Sequence, residues 1–146
     1  GGLAIAAASD PRIPALGVFM RGTRIASAVP NADGVMPDLV AAKKRLDAIH
    51  TPVLIVTGDE MLDSAHFGGK DTFDYLSKVP VFYAWEEGLS HIGSYGAPNG
   101  GSLGRIAADW FSYQLRGDKK AGAMFTGANC TLCKEPTWHV AKKGGA

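Results

Sequence analysis

Ionisable residues follow two apolar runs of strand length, at residues 53–57 and 81–85. Three acids come after the first run, namely Asp59, Glu60 and Asp63, and His91 comes after the second. Because the carboxyl ends of parallel strands meet at one edge of a sheet, we expect an acid and His91 to lie close together there. An acid beside a histidine suits proton transfer, so the sequence predicts a site at this edge.

The only two cysteines, Cys130 and Cys133, form a CxxC motif that allows three interpretations. A redox pair usually opens a helix after a strand, whereas this motif lies in a turn-rich tail. A zinc site would use both cysteines and His139, but no fourth ligand is close in sequence, so we predict no metal. We favour a local disulfide, which indicates an oxidising compartment and hence a secreted or periplasmic location.

Length and charge limit the classes of protein that fit this chain. Its 146 residues suit a single domain over residues 1–146, with residues 118–146 as a disulfide-containing tail. A formal net charge of +1 gives no electrostatic footprint for nucleic acid or an anionic membrane, so a small neutral ligand is the better expectation. Residues 1–8 are apolar but too short to span a bilayer, and any targeting signal would lie upstream of residue 1.

The hydrophobic pattern alternates helices with strands and predicts an α/β fold. The strands at 15–20, 53–57 and 81–85 are continuously apolar, which is typical of parallel strands covered on both faces. The predicted helices cover residues 1–9, the segment capped by Asp38, residues 71–78 and the segment from Leu103 to the stop at Gly117. On the last helix we expect Trp110 and Phe111 to face the core and Arg105 to pair with Asp109 outside.

Several segments resemble α/β-hydrolases, in particular esterases similar to dienelactone hydrolases and polyester hydrolases. They are GGLAIAAASDPRI, TPVLIVTGD, GLSHIGSY, NGGSLGRIAADWFSYQLRGD and AMFTGANCTLC, and they span essentially the whole chain. The resemblance is to the C-terminal half of such enzymes, with Gly1 as the last glycine of the nucleophile elbow. It implies part of an α/β-hydrolase fold, with three parallel strands alternating with helices.

The resemblance also implies roles for individual residues. The catalytic order of Ser, acid and His makes His91 the base and puts the acid in the loop after residues 53–57. Asp63 is the preferred acid, because DSAHFGG resembles the acid-containing turn of the family, and Asp59 is the second choice. Trp85, Tyr95 and His66 are candidates for the substrate pocket, although packing is an equally good explanation for the first two.

Since the resemblance makes Gly1 the last glycine of the elbow, it implies that the nucleophilic serine lies upstream of residue 1. The expected reaction is hydrolysis of a small-molecule carboxylic ester through an acyl-serine, without any cofactor. The expected partner is the N-terminal half of the same enzyme or a second chain. The alternative is a non-catalytic module that binds a small molecule or a partner.

Overall fold

The computed structural model describes residues 2–25, 36 and 38–144. Gly1, which we interpret as the last glycine of the elbow, lies outside these residues. So do most of the loop predicted at 21–38 and the last two residues of the tail. The described part is an α/β unit built on one mixed four-stranded sheet.

The sheet has the order β1-β2-β3-β4, with strands at Leu16–Phe19, Val53–Thr57, Val81–Glu86 and Trp138–Lys143. The first three strands are parallel, as predicted, with Val53 opposite both Leu16 and Val81. β4 was not predicted, and it runs antiparallel to β3 with Ala141 opposite Tyr83. β1 and β4 are therefore the two edges of the sheet among the described residues.

Five helices surround the sheet in the described part of the chain: α1 at Gly2–Ala7, α2 at Leu39–Asp47, α3 at His66–Tyr75, α4 at Gly101–Arg116 and α5 at Lys119–Gly122. Short 3₁₀ turns cover Pro98–Gly100 and Leu132–Lys134. Asp38 caps α2 as predicted, because its carboxylate accepts a hydrogen bond from the backbone of Ala41. Gly117 ends α4 in the left-handed conformation, with a φ of 67°.

The prediction for α3 was wrong in its bounds, since the helix begins at His66 and ends at Tyr75 rather than covering 71–78. Gly68 and Gly69 weaken the helical signal, but packing explains their presence. A Cβ on Gly69 would lie 2.6 Å from the Thr57 side chain on β2. The helix therefore approaches the sheet more closely than any larger residue would allow, and this tertiary contact overrides propensity.

Each face of the sheet has its own apolar core. α4, α5 and the tail cover one face, where Leu54, Phe82 and Trp110 are buried. The first three helices cover the other face, where Val53, Ile55 and Leu46 are buried. These two layers enclose the parallel strands, which explains why β2 is buried at every position.

Two expectations for α4 were wrong. Trp110 is buried as predicted and donates its indole N–H to the Leu16 carbonyl at 3.1 Å, but Phe111 is 37% exposed. Arg105 forms two hydrogen bonds with Glu135 of the tail, at 3.0 and 2.8 Å, rather than an ion pair with Asp109. A planar guanidinium favours such two-point contact with one carboxylate.

The tail is tied to the sheet by a disulfide-closed turn and by β4. The predicted Cys130–Cys133 disulfide is confirmed, with an S–S distance of 1.99 Å and Cys130 buried in the core. Backbone hydrogen bonds from Thr131 to Ala123 and from Leu132 to Met124 dock this turn onto α5 and the residues after it. None of the described helices is long and apolar enough to cross a bilayer.

Candidate functional site

Asp63 and His91 meet at the carboxyl edge of the parallel strands. Asp63 lies in the loop after β2 and His91 in the loop after β3. The His91 Nδ1 lies 2.6 Å from Oδ1 of Asp63, within hydrogen-bond distance. The parallel arrangement of β2 and β3 brings together two residues that are 28 positions apart in sequence.

The Asp63 carboxylate is buried and accepts hydrogen bonds at both oxygens. Oδ2 accepts the backbone N–H of Gly58 at 2.7 Å, and Oδ1 accepts that of Ala65 at 2.8 Å in addition to His91. The side chain has no solvent exposure. Three donors on one buried carboxylate fix its position.

The other ring nitrogen of His91, Nε2, has no hydrogen-bond partner in the part of the chain that the structure describes. Since the ionised Asp63 can only accept a hydrogen bond, Nδ1 carries the proton and Nε2 of the neutral ring has a free lone pair. The His91 side chain is 44% exposed, and no hydrogen bond joins its Nε2 to any residue that the structure describes. Asp63 therefore orients the ring through Nδ1, and Nε2 is available to a proton donor.

Asp59, the second candidate acid, lies in the same loop but serves another contact. Its carboxylate accepts the backbone N–H of Met61 at 2.8 Å and that of Gly88 at 2.9 Å. These backbone hydrogen bonds, that of Gly88 first, hold the pKa of Asp59 below its usual value. Asp59 thus ties the acid loop to the histidine loop, whereas Asp63 contacts the imidazole itself.

Gly58 allows the two loops to touch. A Cβ at this position would lie 2.1 Å from the Leu89 carbonyl oxygen, which is shorter than any tolerated contact. The same carbonyl accepts the backbone N–H of Asp59 at 2.8 Å. Any side chain at residue 58 would therefore separate the loop of Asp63 from that of His91.

Two of the three candidates for the substrate pocket lie together, and the third lies apart from them. Trp85 and His66 both line a cavity of about 460 Å³ between α3 and the β3–β4 ladder. Tyr95 does not line this cavity and is 68% exposed. His66 is almost fully buried, with its Nδ1 3.0 Å from the Gly58 carbonyl oxygen.

A second acid–histidine contact escaped the prediction. The Nε2 of His139 lies 2.6 Å from Oε1 of Glu87, and its ring stacks on Trp85 with centroids 3.9 Å apart. The sequence contains one weak signal for the strand that carries His139, namely the alternation of Trp138 and Val140 with His139 and Ala141. This pattern indicates a strand with two different faces, but the basic residues at the end of the strand obscured the pattern.

Neither a metal site nor a serine–histidine contact occurs among the described residues. No group of three potential ligands there could hold a metal ion, and His139 contacts Glu87 rather than the cysteines. The Ser102 hydroxyl donates to Glu86 at 2.8 Å. The described serines thus leave the free nitrogen of His91 without a hydroxyl partner.

The chain matches no protein-family model and none of the curated proteins compared with it.

Proposed function

We propose that this chain supplies the acid and the base of a serine esterase of the α/β-hydrolase type, with Asp63 and His91 in those roles. The observation that carries this proposal is the 2.6 Å contact between buried Asp63 and the half-exposed ring of His91. A buried carboxylate that orients an imidazole whose Nε2 is free matches the acid–base half of a catalytic triad.

In the proposed reaction His91 takes the hydroxyl proton of a serine as that oxygen attacks the carbonyl carbon of an ester. Asp63 keeps the ring in the required tautomer and stabilises the imidazolium that forms. The imidazolium then gives the proton to the leaving alkoxide, and an acyl-serine remains. A water molecule, deprotonated by His91 in turn, releases the acid and restores the serine.

The proposed nucleophile comes from a segment that precedes α1 or from a second chain. A strand that precedes α1 and runs parallel to β1 would lie beside β1, because parallel crossover connections are right-handed. The outer edge of β1 has no strand partner among the described residues, so it can accept such a strand. This arrangement would belong to the α/β-hydrolase fold that the sequence resembles.

A secreted or periplasmic location accompanies this proposal. Its support is the Cys130–Cys133 disulfide, which persists most readily in an oxidising compartment. Cys130 is buried in the core beneath α4 and Cys133 packs against the same core, which indicates a structural rather than a redox role for the bond.

Hydrolysis of p-nitrophenyl butyrate by the longest form of the protein tests the proposal. We expect His91→Ala and Asp63→Asn each to lower kcat by 10³-fold or more, on the order of losses seen in other triads. Asp59→Asn is the matched control, since it changes an acid of the same loop that does not touch His91. Equal rates in wild type and His91→Ala would refute the catalytic assignment.

The 146-residue chain alone provides a second test, which addresses the nucleophile. We expect no burst of p-nitrophenol from it, because none of the described serines contacts His91. A stoichiometric burst would show that a serine of this chain is the nucleophile.

A further inference from the structure

We propose that the cavity between α3 and β4 is a binding site for a neutral phenol, that is, a single aromatic ring with a hydroxyl group. This proposal does not depend on ester hydrolysis, because neither Asp63 nor His91 lines the cavity. Its volume of about 460 Å³ lies at the lower end of the range for small-molecule sites and suits one ring with a short substituent.

Aromatic side chains form much of the wall of the cavity, which is also lined by the charged residues Glu60, Lys70 and Asp74. Phe67 and Phe73 come from α3, and Tyr83 and Trp85 come from β3. The rings of Phe73 and Tyr83 have centroids 5.7 Å apart. Such walls favour a planar apolar ligand through offset or edge-to-face contacts.

The wall formed by Trp85 is held in place before any ligand arrives. His139 stacks on the indole with an angle of 10° between the rings, and Glu87 holds His139 through the 2.6 Å contact. A fixed wall lowers the entropy lost on binding.

His66 supplies the polar feature that specifies a hydroxyl. Its Nδ1 faces the Gly58 carbonyl, which can only accept, so Nδ1 carries the proton and Nε2 has the lone pair. The residue is 5% exposed and lines the cavity.

No hydrogen bond of His66 Nε2 exists within the described part of the chain. The Nε2 atom is not fully enclosed by protein. Among the described residues, the Thr51 hydroxyl is the only side-chain nitrogen or oxygen that is both fully buried and without a hydrogen-bond partner. His66 lines the cavity between α3 and β4, so its Nε2 acceptor is available to a ligand in that cavity. A ligand that donates a hydrogen bond can pair with this nitrogen, whereas an ether cannot.

Calorimetric titration with 4-ethylphenol and with 4-ethylanisole tests this site on the 146-residue protein. The two probes share their ring, but only the phenol can donate a hydrogen bond. We expect the phenol to bind roughly tenfold more tightly than the ether. Equal affinity for the two probes, or no binding of either, would overturn the proposal.

Two variants locate the binding. His66→Phe keeps an aromatic ring but removes the acceptor, so the preference for the phenol should disappear. Ala141→Phe fills the cavity from β4 and should weaken binding of the phenol at least tenfold, even where His66→Phe does not fold. Leu115→Ala, on an exposed position of α4 beyond the other face of the sheet, is the control and should bind like wild type. Unchanged phenol binding by Ala141→Phe would place the ligand elsewhere and refute the site.

Discussion

The Nδ1 of His91 lies 2.6 Å from an Asp63 oxygen, and the same carboxylate accepts the backbone N–H groups of Gly58 and Ala65. The acid is therefore fixed by its own loop before it orients the histidine. Its position depends on the backbone around it, so the contact is a property of the two loops as much as of the two side chains.

Asp63→Asn should lower the free energy of unfolding by about 2 kcal/mol, because the amide has one N–H₂ group where the acid has an acceptor. In either orientation of the Asn side chain, its N–H₂ group faces a backbone N–H that an oxygen of Asp63 accepts in the wild-type protein. Asp59→Asn should cost less than about 1 kcal/mol, since its exposed carboxylate has water as an alternative partner. Urea unfolding measures both, and equal losses would contradict the dependence on burial.

Gly58→Ala should destabilise the chain by about 2–3 kcal/mol, because the new Cβ would clash with the Leu89 carbonyl 2.1 Å away. The displaced loop should also lengthen the contact between Asp63 and His91. Thermal unfolding and the NMR signal of the His91 Nδ1 proton report the two effects. Gly96→Ala is the control, since no atom lies within 4 Å of a Cβ there. The same stability for both variants would show that the loops do not need this close approach.

Tyr83 should make stability depend on pH in the alkaline range. Burial raises the pKa of Tyr83 to about 12, above its usual 10, while the hydrogen bond with Thr57 opposes the shift. The unfolded chain therefore loses this proton first, so the contribution is complete below pH 10 and disappears as the pH approaches 12.

Tyr83→Phe should thus cost about 1 kcal/mol at neutral pH through the lost hydrogen bond, and the gap from wild type should shrink above pH 10. Urea unfolding between pH 8 and 11 measures it. The exposed Tyr95→Phe is the control and should follow wild type throughout. A gap that stays constant with pH would contradict the assigned role of Tyr83.

Replacement of both cysteines by alanine should lower the free energy of unfolding by about 2 kcal/mol, the value expected for a loop closed over three residues. A reducing agent should lower the stability of wild type by a similar amount and leave the double variant unchanged. Denaturant unfolding with and without dithiothreitol provides the measurement. Insensitivity of wild type to the reductant would show that the bond adds nothing to stability.

The parallel part of the fold could be predicted because burial on both faces leaves continuous apolar runs, as in β2. Asp38 and Gly117 likewise carry local signals for helix ends. The start of α3 could not be predicted, because Gly68 and Gly69 are helical only through contact with Gly22 and Thr57. β4 escaped because Lys142 and Lys143 at its end obscure the short alternation that begins at Trp138.

That an acid would meet His91 followed from topology, since both loops come after parallel strands, whereas the preference for Asp63 came from the resemblance of DSAHFGG to the acid-containing turn of the family. The choice between Asp59 and Asp63 depended on loop geometry that spacing does not encode. The same holds for His66, which lies two residues before a pair of glycines in the sequence. Only the folded chain brings its ring against the Gly58 carbonyl and into the α3–β4 cavity.

The two edges of the sheet differ in the side chains that they carry. β4 ends in Lys142 and Lys143, and lysines on an edge strand discourage a further strand from pairing there. The short apolar β1 has no such protection. The β1 edge is therefore the more open of the two to a further strand, such as the one proposed to lead to the nucleophile, whereas the lysines of β4 disfavour pairing at the opposite edge.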